Sequence, residues 1–283
     1  MVVIHHNDPD GRCAAAIVNN CYKNSGRELV FIEASYDSVI DFNKIKLNEE
    51  VVIVDFSLQK PGDWEILLAI TPFVTWIDHH KSAINIHPEL STLSGIRDIS
   101  KSGCELTWEY CFKDLPMPKV VQHIGDYDTW KFKLNHTEDI FMAIKTQDHN
   151  PESKIWDEWL IVNDDEQEMI DDLNDNGRII KAALYHLYSE IAHDGAYGII
   201  LNGYRCLACN AINTGSKVFT NIPNIRKTFD FLIVYKHSHK GFTVSVYTEN
   251  PDLDASELCL KYGGGGHKGA AGFQCKELPW KTI

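Results

Sequence analysis

Short apolar runs that stop abruptly at carboxylates and imidazoles recur along the first third of the chain. Val2-Val3-Ile4 leads into His5-His6-Asn7-Asp8-Pro9-Asp10-Gly11, Val51-Val52-Ile53-Val54 ends at Asp55, and Thr75-Trp76-Ile77 ends at Asp78-His79-His80. Runs of this kind read as buried strands that deliver polar groups to one edge of a sheet. Strands are expected over residues 1–6, 28–34, 51–55 and 73–78. Between them lie a helix rich in small residues that opens at Asp10-Gly11, a weak helix over 37–45, and a helix over 61–70 with Pro61 near its first turn. The order predicts an α/β fold with a doubly wound, mostly parallel sheet, whose ligands gather beyond the carboxyl ends of the strands.

After the fourth strand the pattern changes. Ser102 and Glu105 stand at capping-box spacing before a helix. Pro116 and Pro118 punctuate the chain, and a further helix starts over 119–124 and runs into Gly125-Asp126-Tyr127-Asp128-Thr129-Trp130. Residues 138–193 are acidic and helical in character, and the run Asp164-Asp165-Glu166-Gln167-Glu168 reads as a solvated face without chemistry. Strand patterning resumes over 199–201, 204–211, 231–235 and 242–247, in a smaller C-terminal α/β domain. A short helix over 254–262 then precedes Gly263-Gly264-Gly265-Gly266-His267-Lys268-Gly269. Three segments are expected, 1–135, a helical connector over 136–197, and 198–283.

Composition narrows the class. At 283 residues, 44% of them hydrophobic, the chain can bury one large core or two ordinary ones. Its longest apolar runs, such as 66–70 and 231–235, are far short of the roughly 20 residues that a helix needs to cross a bilayer. The N-terminus lacks the basic and apolar segments of a secretory signal, so a cytoplasmic protein with no membrane partner is expected. The eight cysteines read mostly as reduced core thiols. Cys206-Leu207-Ala208-Cys209 lies in a strand-like stretch without the second pair that a zinc site needs. Forty acidic against 27 basic residues, a net charge of -13, leave no basic stripe for long duplex nucleic acid. A small phosphorylated ligand stays compatible, because bound cations invert the local field.

Taken alone, His6-Asn7-Asp8-Pro9-Asp10-Gly11 is an ordinary turn. The recurrence of Asp55, Asp78, His79, His80 and Asp126 behind apolar segments changes that reading, because clustered carboxylates are costly to desolvate without cations. Imidazole mixed with carboxylates suits manganese, iron, cobalt or zinc better than magnesium or calcium. The number of ligands favours two ions over one. Gly264-x-Gly266-x-x-Gly269 matches a dinucleotide fingerprint formally, but it follows a helix and precedes a strand, the reverse of the required context. Gly264, Gly265 and Gly266, next to His267 and Lys268, instead expose backbone N–H groups to a phosphate.

Together, His6-x-Asp8-x-Asp10-Gly11, Val54-Asp55, Asp78-His79-His80, Gly125-Asp126 and the terminal glycine-rich segment resemble, in order and across nearly the whole chain, the DHH-family phosphoesterases with a C-terminal DHH-associated domain. The likeness is to nano-RNase or oligoribonuclease-like members, and more distantly to RecJ-like ones. It implies a catalytic metal-binding domain over 1–135 and a substrate-binding domain over 198–283. His6 and Asp8 would hold one metal, Asp10, His79 and Asp126 the other, and Asp55 would bridge them. Asp78 would orient His79, and His80 would face the phosphate. His5 and Asp128 stay open as alternatives to His6 and Asp126. The glycine-rich segment would hold the terminal phosphate or nucleotide. Arg97 and Lys101 are candidate phosphate contacts, and Tyr127 and Trp130 are stacking candidates weighed against a core role.

The implied activity is hydrolysis of short oligonucleotides or dinucleotides, RNA or single-stranded DNA, to 5′-mononucleotides. It would use two Mn2+ ions, with Co2+, Fe2+ or Mg2+ as substitutes. Two cations roughly 3.5–4 Å apart can activate a water in line with phosphorus, so no protein nucleophile is required, and no Gly-x-Ser-x-Gly elbow is present. Cyclic dinucleotides and 3′-phosphoadenosine 5′-phosphate are rival substrates, and a catalytically silent nucleotide sensor is the non-enzyme alternative. Hinge, lid and homodimer surface all stay open for the acidic helical stretch.

Overall fold

The apolar runs form β1 (Val2–His6), β2 (Val30–Ala34), β3 (Val51–Val54) and β4 (Val74–Ile77), hydrogen-bonded in the order β2-β1-β3-β4 and all parallel. In the computed structural model, which describes every residue except Asp37, Gln59 and Ile283, the chain divides into two compact units, Met1–Ile180 and Lys181–Ile283. The helix expected over 37–45 begins on Asp37, outside the described residues; a short 3-10 turn, Phe42–Lys44, follows.

The first unit contains α1 (Pro9–Tyr22), α2 (Asp63–Ile70), α3 (Lys81–Ile86), α4 (Gly103–Cys111), α5 (Lys119–Asp128), α6 (Thr137–Ile144) and α7 (Trp156–Trp159). The division between the units falls within α8 (Glu166–Gly195). Successive strand residues point to opposite faces, and both faces are buried. Val3, Val52, Val54 and Ile77 pack against Ile17, Leu106, Val121 and Ile124 of α1, α4 and α5. Val2, Ile4, Val51, Ile53 and Trp76 pack on the other side against Trp64 and Leu67 of α2 and Ala83 of α3. This double covering explains why the strands read as unbroken apolar runs.

Register places the chemistry. His5 pairs with Val54, and Val54 with Ile77. The next residues along β1, β3 and β4, namely His6, Asp55 and Asp78, therefore leave the sheet together at one edge. Ile140, Ala143 and Ile144 of α6, Trp156 and Trp159 of α7, and Ile170 and Leu173 of α8 join the core of the first unit. Within the acidic run, Glu166 is buried and its Oε1 accepts the Lys119 backbone N–H at the start of α5. That carboxylate thus serves as a cap, while its neighbours are solvated.

The second unit is a seven-stranded sheet of β5 (Ala196–Leu201), β6 (Tyr204–Asn210), β7 (Phe231–Ser238), β8 (Gly241–Tyr247), β9 (Gly265–Gly266), β10 (Ala270–Cys275) and β11 (Lys281–Thr282), with α9 (Ile225–Thr228) and α10 (Ala255–Leu260). Its order is β11-β5-β6-β7-β8-β10-β9, antiparallel except between β6 and β7. Cys206 and Cys209 are both buried in β6, three residues apart and in the cores of opposite faces, which separates them as metal ligands. Among the described residues no helix is long and apolar enough to cross a membrane.

Ile53, fully buried in β3 between two neighbouring strands, tests the sheet as the scaffold of the first unit. Ile53→Ala is expected to lower unfolding stability by about 2–5 kcal/mol, read as a lower denaturant midpoint with an unchanged slope.

Candidate metal centre

At the carboxyl edge of the first sheet, three groups of side chains lie with ligand atoms within 4.8 Å of one another: His6, Asp8 and Asp55; Asp55, His79 and His80; and Asp10, His79 and Asp128. Asp55 and His79 link the groups. His79 Nε2 lies 3.1 Å from Asp55 Oδ1, 3.4 Å from Asp128 Oδ2 and 3.8 Å from Asp10 Oδ2. On the other side of Asp55, His6 Nδ1 lies 3.8 Å from its Oδ2 and 2.7 Å from Asp8 Oδ2.

Local structure aims each group. Asp8 caps α1, its Oδ1 accepting the Gly11 N–H at 2.9 Å. Asp10, in the first turn, accepts the N–H groups of Gly103 and Cys104 at 2.7 and 2.9 Å. The N-terminus of α4 therefore locks Asp10 in place, with the dipole of that helix favouring its charge. The capping box of Ser102 and Glu105 is formed and fixes the direction of these N–H groups. Asp55 sits in the left-handed region, φ 51°, where the chain turns out of β3. A Cβ on Gly103 would lie 2.4 Å from Asp55 Cβ, so only glycine allows α4 to approach this closely.

The structure places three of the expected residues differently. Asp126 does not face the cluster: Lys133 N–H donates to its Oδ1, and Leu134 N–H and Thr137 Oγ1 donate to its Oδ2, at 2.6–3.0 Å. Two residues along a helix is a rotation of about 200°, so Asp128 occupies the position expected of Asp126. Asp78 supports the ring of His80, not that of His79. Its Oδ1 accepts from His80 Nδ1 at 2.7 Å and takes only the backbone N–H of His79. Arg97 spends its guanidinium on the carbonyls of Trp76, Ser91, Leu93 and Ser94 and lies over the Trp76 ring, so it ties a loop to β4. Lys101 pairs with Glu109.

His5 points away from the cluster, with Nδ1 on the His6 carbonyl and its ring edge-on to Phe31. Tyr36 was not singled out by the sequence reading, yet its hydroxyl lies 2.7 Å from His80 Nε2 and its ring 5.0 Å from that of His6. Its place just after β2 was the available signal. In the second unit, Gly265 and Gly266 form β9 and His267 is exposed on a tight hairpin, its N–H donating to Ala270 O at 2.8 Å.

The electrostatics expose a conflict. Asp55 is 1% exposed, and neither of its oxygens has a hydrogen-bond partner among the described residues. Burial, then the charges of Asp10 and Asp8, push its carboxyl well above the usual range. Burial and the same two neighbours push Asp128 up to about 9. Burial lowers His79 and keeps its imidazole neutral, as a ligand must be. For His80, burial is outweighed by the Asp78 hydrogen bond and charge, and the net shift is upward. An orphaned buried carboxylate beside a neutral imidazole and further acidic groups fits divalent cations, which would replace both the missing hydrogen bonds and the missing charge.

No family model matches the chain. It is 29% identical over 239 residues to an uncharacterized protein of Acanthamoeba polyphaga mimivirus, a match covering 80% of this chain and 53% of that protein. The chain thus spans about half the length of that curated relative. Among solved structures it superposes on the DHH domain of a protein described as a member of a family of ribosomal proteins, with a TM-score of 0.61 and 12% identity, covering 100% of this chain and 82% of that one. Superposition on exonuclease RecJ bound to manganese gives a TM-score of 0.51 and 13% identity, covering 96% and 85%. The chain has the DHH-domain fold.

Above the ordinary carboxylate value of 3.8, the metal-free fold retains protons on Asp55 and Asp128 that the unfolded chain releases. This contribution to stability is full below that value and is lost as pH rises through about 9 for Asp128. The thermal midpoint of chelated protein is therefore expected to fall between pH 5 and 9, and to fall less in Asp128→Asn. Calorimetric affinity for a divalent cation, with Mn2+ as the probe, should rise over the same range in the unmodified protein and drop in the variant.

Proposed function

We propose that the chain is a divalent-metal-dependent phosphoesterase that hydrolyses short oligonucleotides or dinucleotides to 5′-mononucleotides. The observation that carries this reading is the buried, hydrogen-bond-free carboxylate of Asp55, set between His6 with Asp8 and His79 with Asp10 and Asp128. On this reading Asp55 would be shared between two cations. His6 and Asp8 complete one set of ligands, and Asp10, His79 and Asp128 the other. Manganese is the ion proposed, since imidazole and carboxylate donors together suit it. When bound, the cations supply Lewis acidity and a water of lowered pKa at the scissile phosphorus.

The remaining work falls to the side chains. Asp78 holds a proton on His80 Nδ1, so the raised pKa of that imidazole favours a positive charge at the site, which would attract a phosphate. The Gly103 and Cys104 N–H groups hold the Asp10 carboxylate in place beside His79. Exposed His267, on its hairpin, is proposed as a phosphate contact of the second unit. A net charge of -13 disfavours long duplexes and directs the reading to small substrates.

Purified protein with Mn2+ is expected to cleave di- to pentanucleotides, and Asp55→Ala to abolish turnover and lower bound manganese. Full activity in that variant overturns the bridging role. Inactivity on the whole panel, with turnover of cyclic dinucleotides or 3′-phosphoadenosine 5′-phosphate, overturns the substrate. His267→Ala is expected to raise KM more than it lowers kcat.

A further inference from the structure

Immediately beyond Asp128 the chain forms an unusual surface. Trp130 is 66% exposed and Phe132 42%, although large aromatic side chains normally gain stability by burial. Both residues have positive φ, 56° and 46°, a conformation that costs about 1–2 kcal/mol for a residue with a Cβ. The conformation persists because Asp126 dictates it: its carbonyl accepts the Lys131 N–H at 3.0 Å, and its carboxylate takes Lys133 N–H, Leu134 N–H and Thr137 Oγ1. Thus the carboxylate that misses the metal cluster holds two aromatic rings out of the core.

The rings are ordered from the core outward. Phe141 is buried, Tyr127 stacks flat on it at 3.6 Å, and Trp130 and Phe132 stand edge-on to Tyr127 at 5.7 and 5.6 Å. Trp130 and Phe132 also meet edge to face at 4.8 Å. The loop is anchored beside the site. Lys131 Nζ donates to Ser100 O at 2.7 Å, two residues before the Ser102 cap of the helix that clamps Asp10. Lys131 and Lys133 alternate with the aromatic residues along the loop, a sequence combination suited to a ligand that carries both π faces and phosphates.

We infer that Trp130, assisted by Phe132, is a nucleobase platform: a base of the substrate stacks on the indole while the adjoining phosphate lies at the Asp55 centre. The inference rests on the proposed phosphoesterase function and deepens it. The substrate class becomes nucleotides with unpaired bases, as opposed to inorganic phosphate chains. Paired bases in a duplex have both faces covered and do not engage the platform.

The test compares an adenine dinucleotide with the abasic phosphodiester of the same length, in the full chain with Mn2+. In Trp130→Ala, the ratio of kcat/KM on the dinucleotide to kcat/KM on the abasic compound is expected to fall at least about fivefold, the low end of base–aromatic stacking. Trp130→Phe should restore most of it. An unchanged ratio, or equal losses on both substrates, overturns the inference. If the unmodified protein cleaves neither compound, the proposed reaction fails, and titration of tryptophan fluorescence decides the platform separately. Saturable quenching by AMP, absent with ribose 5-phosphate and lost in Trp130→Ala, supports it; equal responses overturn it. A shift from a larger species to monomer in the variant, with AMP binding unchanged, overturns it in favour of an interface between copies.

Discussion

A buried carboxylate with nothing to bond to is the constraint on which the first unit depends. Asp55 lies at the end of a central strand, 1% exposed, with both oxygens lacking a hydrogen-bond partner among the described residues and its backbone in the left-handed region. Each of these features is unfavourable by itself. They coexist because the surroundings are fixed from several directions: parallel register brings the ends of β1, β3 and β4 level, and Gly103 lets α4 approach to within contact of Asp55. Any Cβ at position 103 would occupy the space that the carboxylate itself fills.

Around that group the acidic residues divide into two kinds. Asp10 and Asp126 spend both oxygens, and Asp78 its Oδ1, on backbone N–H groups and side chains, and so hold the helix start, the aromatic loop and the Asp-His-His turn in shape. Asp55 and Asp128 face other charges, and their carboxyls are driven upward. The contrast is between carboxylates stabilised by the fold and carboxylates left for a ligand to stabilise. Sequence neighbours fall on opposite sides of it. Asp126 and Asp128 share one helix and differ by about 200° in direction.

A net charge of -13 is awkward for a protein proposed to bind phosphates. The resolution is local. Divalent cations would reverse the sign of the field at the Asp55 centre, and on the proposed reading the affinity for the rest of a nucleotide would fall mainly to stacking. Such a surface favours short ligands, since nothing in the composition supplies the counterion release on which long duplex binding depends.

The repeated apolar runs ending in Asp or His determined the parallel sheet and the edge at which the chemistry collects, because strand burial and strand polarity are written in local pattern. The capping box at Ser102 and Glu105, the buried strand character around Cys206 and Cys209, and the helix-to-strand context of the glycine-rich segment were legible for the same reason. Other assignments were decided only by tertiary structure, because they depend on direction and not on proximity along the chain. Asp128 faces His79 while Asp126 faces the 133–137 loop, Asp78 bonds the second histidine ring and not the first, and Arg97 is consumed by four carbonyls. Tyr36 reaches His80 from a strand end that carries neither Asp nor His among its described residues, and Gly103 matters for an atom that it lacks. Pattern determined which residues arrive at the edge; packing decided which way each of them turns.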